Sequence, residues 1–154
     1  MMAFDDLVAA ARSAVASRQR VTPLKELREK TSSAPAARDV ASVLRAPGRV
    51  VSVIAEVKRA TATFADLSGV GDVAVLARFY EAGGAACVSV VTEPVRSHGR
   101  LTDLDAVREA VNVPVLANDV IVTPYQVHEA RAHGADMLCL LYTSDAADER
   151  SSVD

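Results

Sequence analysis

The chain has 154 residues, half of them hydrophobic, and a formal net charge of −3, which suits one globular domain with a substantial core. Mild acidity, with the basic residues scattered through polar segments, argues against a DNA or RNA surface. No apolar run approaches the length of a membrane span, and Asp5 and Asp6 stand where a secretory signal would carry positive charge, so the expected compartment is the cytoplasm.

Phe4, Leu7, Val8, Ala11 and Val15 form one helical stripe over residues 4–18, with Asp5 and Asp6 placed to complement the helix dipole. Thr22 followed by Pro23 reads as an N-cap with proline at the first helical position. It opens a short helix through Leu24 and Leu27 that stops before the breaker at 31–37. Asp39 is placed to cap a third short helix through Arg45, ended by Pro47 and Gly48. Residues 1–49 are thus a helical extension ahead of the first strand.

That strand, predicted over Val50–Arg59, ends in a carboxylate and an ammonium two residues apart. Side chains alternate along a strand, so Ser52, Ile54, Glu56 and Lys58 share one face, while Val51, Val53, Ala55 and Val57 form an apolar face that needs a cover. Charges inside and apolar residues outside fit the active-site end of a parallel α/β barrel, which makes Glu56 and Lys58 candidate site residues; an edge strand with an exposed ion pair fits as well.

The pattern then repeats. Asp72 opens a helix with Val75, Leu76 and Phe79 as apolar positions, stopped by Gly83 and Gly84; residues 86–91 form a β-rich run. Residues 103–111 read as a helix, 113–116 as a strand, 124–133 as a helix ended by Gly134, and 137–141 as a strand. Four strands alternating with helices imply a parallel sheet, either doubly wound or a (β/α) barrel. The segment Gly69-Val70-Gly71-Asp72 lacks the third glycine and the position of a dinucleotide fingerprint. Cys87 and Cys139 lie in apolar runs without metal-ligand spacing and read as buried reduced thiols. His128 and His133 are five apart, roughly 140° around a helix, so with Glu129 they read as surface residues and not a metal site. His98 reads as a loop histidine.

Read together, VIAEVKRA at 53–60, YEAGGAACVSVVTEP at 80–94, VPVL with Asp119, Ile121 and Val122 at 113–122, and PYQVHEARAHGADMLCL at 124–140 resemble the indole-3-glycerol-phosphate synthase family of the tryptophan pathway. The resemblance implies a TIM barrel with an N-terminal helical extension, in the cytoplasm, and a cofactor-free carboxy-lyase reaction on a phosphorylated small molecule. In that family 1-(2-carboxyphenylamino)-1-deoxyribulose 5-phosphate closes onto its own ring and loses carbon dioxide and water. Glu56 and Lys58 match the family's first-strand pair. Lys58 is placed to hold an anionic group of the substrate, and Glu56 to couple to a catalytic ammonium. Glu93, at the end of the second strand, is a substrate-binding candidate or a structural loop carboxylate.

The departures from the family pattern cluster. Asn118 stands where the family has its general-acid lysine; an amide donates a hydrogen bond but delivers no proton, and losing such an acid removes roughly 10²- to 10⁴-fold in rate. Thr61-Ala62-Thr63 replaces Ser-Pro-Ser, with Thr61 and Thr63 kept as substrate-binding hydroxyls, and Ser97 and Val120 replace aromatics that would pack the substrate ring. Residues 50–141 are therefore expected to be the first half of a barrel, and the polar run 142–154 a non-native or disordered tail. Two functional expectations follow: a truncated, inactive form of the lyase, or a non-catalytic half-barrel or degenerate paralogue serving as a binding or assembly module. With its strand edges open, the isolated half-barrel is expected to self-associate.

Overall fold

The structure is a computed structural model that describes residues 4–48, 51–61 and 71–140. Thr63, the Gly69-Val70 pair and the tail from Leu141 lie outside the described residues. In chain order come α1 (Phe4–Val21), α2 (Leu24–Ser33), α3 (Val40–Leu44), β1 (Ile54–Val57), α4 (Val73–Ala82), β2 (Cys87–Val91), α5 (Leu101–Ala110), β3 (Val115–Asn118), α6 (Pro124–Ala132) and β4 (Met137–Cys139).

All neighbouring strands are parallel and the sheet order is β1-β2-β3-β4. A doubly wound sheet reverses its strand order at a switch point; a consecutive order without reversal is the winding of a barrel. Register then assigns the faces. Glu56 lies across from Ser89, and Val91 from Asn118, on the inner side. Val57, Val88, Val90, Val115 and Ala117 point outward into one core with Val73, Ala77, Leu104 and Val107 of the covering helices. Burying this outer face contributes roughly 1.5–3 kcal/mol per fully buried large apolar side chain.

Several predicted boundaries move. β1 is four residues long, and Lys58 lies just beyond it. The cover reaches Val57, whereas Val51 and Val53 at the other end of the same face are 73% and 55% exposed. On α4 the buried stripe is Val73 and Ala77 with Leu76 and Tyr80 beside it, leaving Val75 and Phe79 exposed. Positions 73, 76, 77 and 80 repeat as one helical face, and that face lies on the sheet. β3 ends at Asn118, two residues later than predicted, and α5 begins two residues earlier, with Asp103 in its first turn. The second helix starts from Pro23 as N-cap, with no side-chain cap from Thr22, and runs on to Ser33. Asp39 and Asp72 cap α3 and α4 through Ser42 N–H and Ala74 N–H, as predicted.

The helical extension docks on α6 through a satellite core of Val15, Leu27 and Tyr125. Arg18 holds Glu129 in a bidentate pair at 2.7 and 2.9 Å, the Tyr125 hydroxyl donates to Thr22 O at 3.1 Å, and Thr31 Oγ1 to His128 O at 3.1 Å. Glu129 is therefore a buried residue and not the surface residue its polarity suggested. A second tie runs through Asp136, which accepts from Arg38 N–H, Val115 N–H and Arg108 Nη1. These links place α1 beside the C-terminal ends of β2 and β3, where Leu7 joins the wall of the cleft described next.

Candidate functional site

The C-terminal ends of the strands open into a cleft of about 360 Å³ lined by Leu7, Lys58, Thr61, Val91, Glu93, Arg96, Ser97, Asn118, Asp119 and Val120. Parallel strands place their C-terminal side chains and following loops at one end, which is why these distant residues meet. Above β2, Asn118 Nδ2 donates to Glu56 Oε2 at 3.1 Å, so the inner faces of β1 and β3 are bridged by side chains. Lys58 and Thr61 follow from the end of β1. Ser89, across the ladder from Glu56, is buried, and its Oγ has no hydrogen-bond partner among the described residues.

Among the described residues, the strand ends at the mouth are braced. Arg59, next to Lys58, forms a bidentate pair with the Asp103 carboxylate at 2.6 and 2.6 Å, which ties the end of β1 to α5; the Asp103 bond raises the Arg59 pKa above its ordinary value, against desolvation. After β2, the Glu93 carboxylate accepts from the backbone N–H groups of Val95, Arg96 and Ser97 at 2.6, 2.8 and 2.9 Å, and Glu93 O accepts from Gly99 N–H at 2.9 Å. His98 takes φ of 53°, and Gly99 lies so close to the strand that a Cβ there would meet Val91 O at 2.2 Å. Only glycine permits that approach.

Asp119 immediately follows Asn118. Its carboxylate accepts from Thr92 Oγ1 at 2.9 Å and from Val120 N–H at 2.7 Å. Burial pushes its pKa up, opposed by these two hydrogen bonds, while the Glu93 charge raises it further and Arg18 lowers it. Thr92 N–H also donates to Asn118 O at 3.0 Å, so β2 and β3 are joined twice at the level of the site.

The structure thus brings Glu56, Asn118, Lys58, Thr61 and Glu93 to one end of the sheet. The Glu93 oxygens are occupied by loop amides, whereas Glu56 and Asn118 contact each other directly. Asp119, Arg96 and Leu7 were not among the candidate site residues read from the sequence. A carboxylate directly after a strand was a signal for Asp119; nothing in the spacing of Leu7 distinguished it from the rest of its helical stripe. His133 Nδ1 lies 2.8 Å from Asp105 and Glu129 is held by Arg18, so these two side chains of the histidine-bearing helix serve separate contacts between helices.

A family model described as indole-3-glycerol phosphate synthase matches residues 4–150. The indole-3-glycerol phosphate synthase of Mycolicibacterium gilvum (strain PYR-GCK) is 52% identical over 137 residues, covering 89% of this chain and 50% of that protein. The protein of the same description from Mycobacterium avium (strain 104) is 50% identical over 149 residues, covering 97% of this chain and 53% of that protein. The chain spans about half the length of the curated relatives it matches. With a consecutive parallel sheet, a docked helical extension and a match of this extent, the chain belongs to the indole-3-glycerol phosphate synthase family, carboxy-lyases built on the TIM barrel.

Proposed function

We infer that the cleft is the first-half portion of a site for 1-(2-carboxyphenylamino)-1-deoxyribulose 5-phosphate, the substrate whose ring closure, decarboxylation and dehydration give indole-3-glycerol phosphate. The observation that carries this reading is the direct Asn118–Glu56 contact beside Lys58 at the strand ends. Ring closure moves electrons from the carboxyl-bearing ring carbon onto the ketone carbon, and the ketone oxygen takes a proton. Loss of carbon dioxide then restores the aromatic ring, and loss of the hydroxyl as water, with removal of a proton from the neighbouring carbon, gives the indole. In this scheme Lys58 holds an anionic group of the substrate, Thr61 and Thr63 supply hydroxyl contacts, and Glu93 shapes the loop against which the substrate lies.

Asn118 changes the first step. A lysine there would form an ion pair with Glu56 and carry a transferable proton, whereas the amide donates to the same carboxylate and has none to give at neutral pH. The 154-residue chain is therefore expected to bind the substrate skeleton without turning it over. The test is a titration with the substrate analogue whose ketone is reduced to an alcohol, alongside a fluorescence assay for indole product. Saturable binding that Lys58→Ala weakens, with no turnover, is expected; turnover by the unaltered chain refutes the role given to Asn118, and absence of saturable binding refutes the substrate assignment.

A second reading, that the chain is an assembly module, is favoured by the exposed apolar residues Val51 and Val53 just ahead of the first strand, Ile54 at its start and Leu140 after the last strand. Apolar strand edges pair with other chains. The isolated chain is expected to elute as a dimer or larger in size-exclusion chromatography with light scattering, and a compact monomer refutes it.

A further inference from the structure

Two cations, Lys58 and Arg96, line the cleft beside the carboxylates of Glu93 and Asp119. Among the described residues, neither Lys58 nor Arg96 has a salt-bridge partner. The nearby carboxylates are hydrogen-bonded by neutral donors and not by these cations: Glu93 by three loop amides, Asp119 by Thr92 and Val120, and Glu56 by Asn118. A guanidinium or ammonium in a concave site that makes no ion pair within the protein is available to pair with an anionic group of a ligand.

Arg96 is also held in place by its backbone. Its N–H is fixed by Glu93 Oε2 at 2.8 Å, and three residues further on Gly99 is pressed against Val91 and Thr92. The loop is thus set before any ligand arrives, which lowers the ordering cost of using Arg96 in binding. Barrels hold phosphate at the loops after their last two strands. The anion left for a loop after the second strand is then the carboxylate on the substrate's ring, and a guanidinium fork meets a carboxylate with two parallel hydrogen bonds.

We propose that Arg96 is a specificity-determining residue that, together with Lys58, seats the ring carboxylate of the substrate. This rests on the substrate class argued above. The probes are 2-(ethylamino)benzoate and its uncharged amide, 2-(ethylamino)benzamide, titrated against the 154-residue chain by ligand fluorescence. The chain is expected to prefer the benzoate by about tenfold, the scale of one charge-assisted contact at a partly solvated site. Arg96→Gln should bring that preference close to one while leaving benzamide affinity and the urea midpoint unchanged, and Arg96→Lys should retain part of it. An undiminished preference in Arg96→Gln overturns the proposal alone. Equal loss of both ligands also overturns it, because it assigns Arg96 to loop shape and not to charge recognition. Failure of the unaltered chain to bind either ligand overturns the substrate class and this proposal with it.

Discussion

Asp136 is the sharpest place to test how the fold holds its site. Its carboxylate is fully buried and accepts Arg108 Nη1 at 2.5 Å and Val115 N–H at 3.0 Å on one oxygen, and Arg38 N–H at 2.8 Å on the other. The three donors come from α5, the start of β3 and the segment ahead of α3, so one side chain fastens the helical extension to the sheet. Arg38 adds to the knot by donating to Val113 O at 2.6 Å, and its pKa is lowered by desolvation and by Arg108. Asp136→Ala strands a mostly buried guanidinium, a loss of about 3–5 kcal/mol when one partner of a buried pair is removed. Two backbone amides also lose their acceptors, at about 1–3 kcal/mol each when no water replaces them. These losses overlap because the groups share one cavity, so about 4–6 kcal/mol is expected for the whole change. Against a domain stability of about 5–15 kcal/mol, that leaves the variant marginal or unfolded at 25 °C. Asp136→Asn keeps one carbonyl acceptor and should lose about half as much. Urea unfolding followed by far-UV circular dichroism measures both; an Asp136→Ala loss under about 1 kcal/mol at unchanged m-value would refute the hub.

The remaining expectations concern the strand ends and the thiols. Asp119 is held above the ordinary carboxylate range, first by burial, so the native state binds its proton more tightly than the unfolded chain does. Its contribution to stability is present below the unfolded carboxylate pKa of about 3.9 and is lost as pH rises through the native value. Asp119→Asn, which can still accept from Val120 N–H, should therefore gain stability relative to the parent at neutral pH, with the difference shrinking toward pH 4. A difference that is flat across that window in paired urea titrations would contradict the buried charge. Gly99→Ala would place a Cβ 2.2 Å from Val91 O and 2.7 Å from the Thr92 carbonyl carbon. Since the obstacle is backbone, the loop must move, with a stability loss of about 1–3 kcal/mol and weaker benzoate binding. Thermal melting and the fluorescence titration read both effects, and a neutral result would mean that the loop is not seated on the strand. Burial first, then the charge of Asp136, pushes the Cys87 thiol up to about 11. Only about one Cys87 thiol in a thousand is then ionised at pH 8; Cys139, expected to be buried as well, is only half-buried at the sheet edge, so alkylation should label Cys139 faster and Cys87 only on unfolding. Two equally fast thiols would refute that burial.

The positions of the elements were legible in the sequence because each carried its own local signal. Asp39 and Asp72 can cap only a helix that starts immediately after them, and they do. Alternation along residues 54–57 put Glu56 on the face opposite Val57, which the register confirms. Boundaries drifted where a distant partner decided them. β3 extends to Asn118 because Val91 lies beside it to complete the ladder, and α5 opens early, with Asp103 in its first turn taken up by Arg59. Periodicity on α4 pointed to Val75, Leu76 and Phe79, of which only Leu76 packs on the core; an apolar stripe has no direction until a sheet lies against it, and the sheet lies against Val73 and Ala77.

The candidate site divides in the same way. Residue type and place at a strand end pointed to Glu56 and Lys58, since parallel strands carry chemistry at their C-terminal ends, whereas the family resemblance alone pointed to Asn118. That Asn118 reaches Glu56 across β2, that the Glu93 oxygens are spent on its own loop, and that Asp119 is buried against Thr92 are facts of spacing between segments far apart in the chain. The buried ion pairs Arg18–Glu129 and Arg108–Asp136 belong to the same class. In the sequence their members look like solvated charges, because burial and pairing depend on what the folded chain brings near, and composition and periodicity describe only a residue's neighbours along the chain.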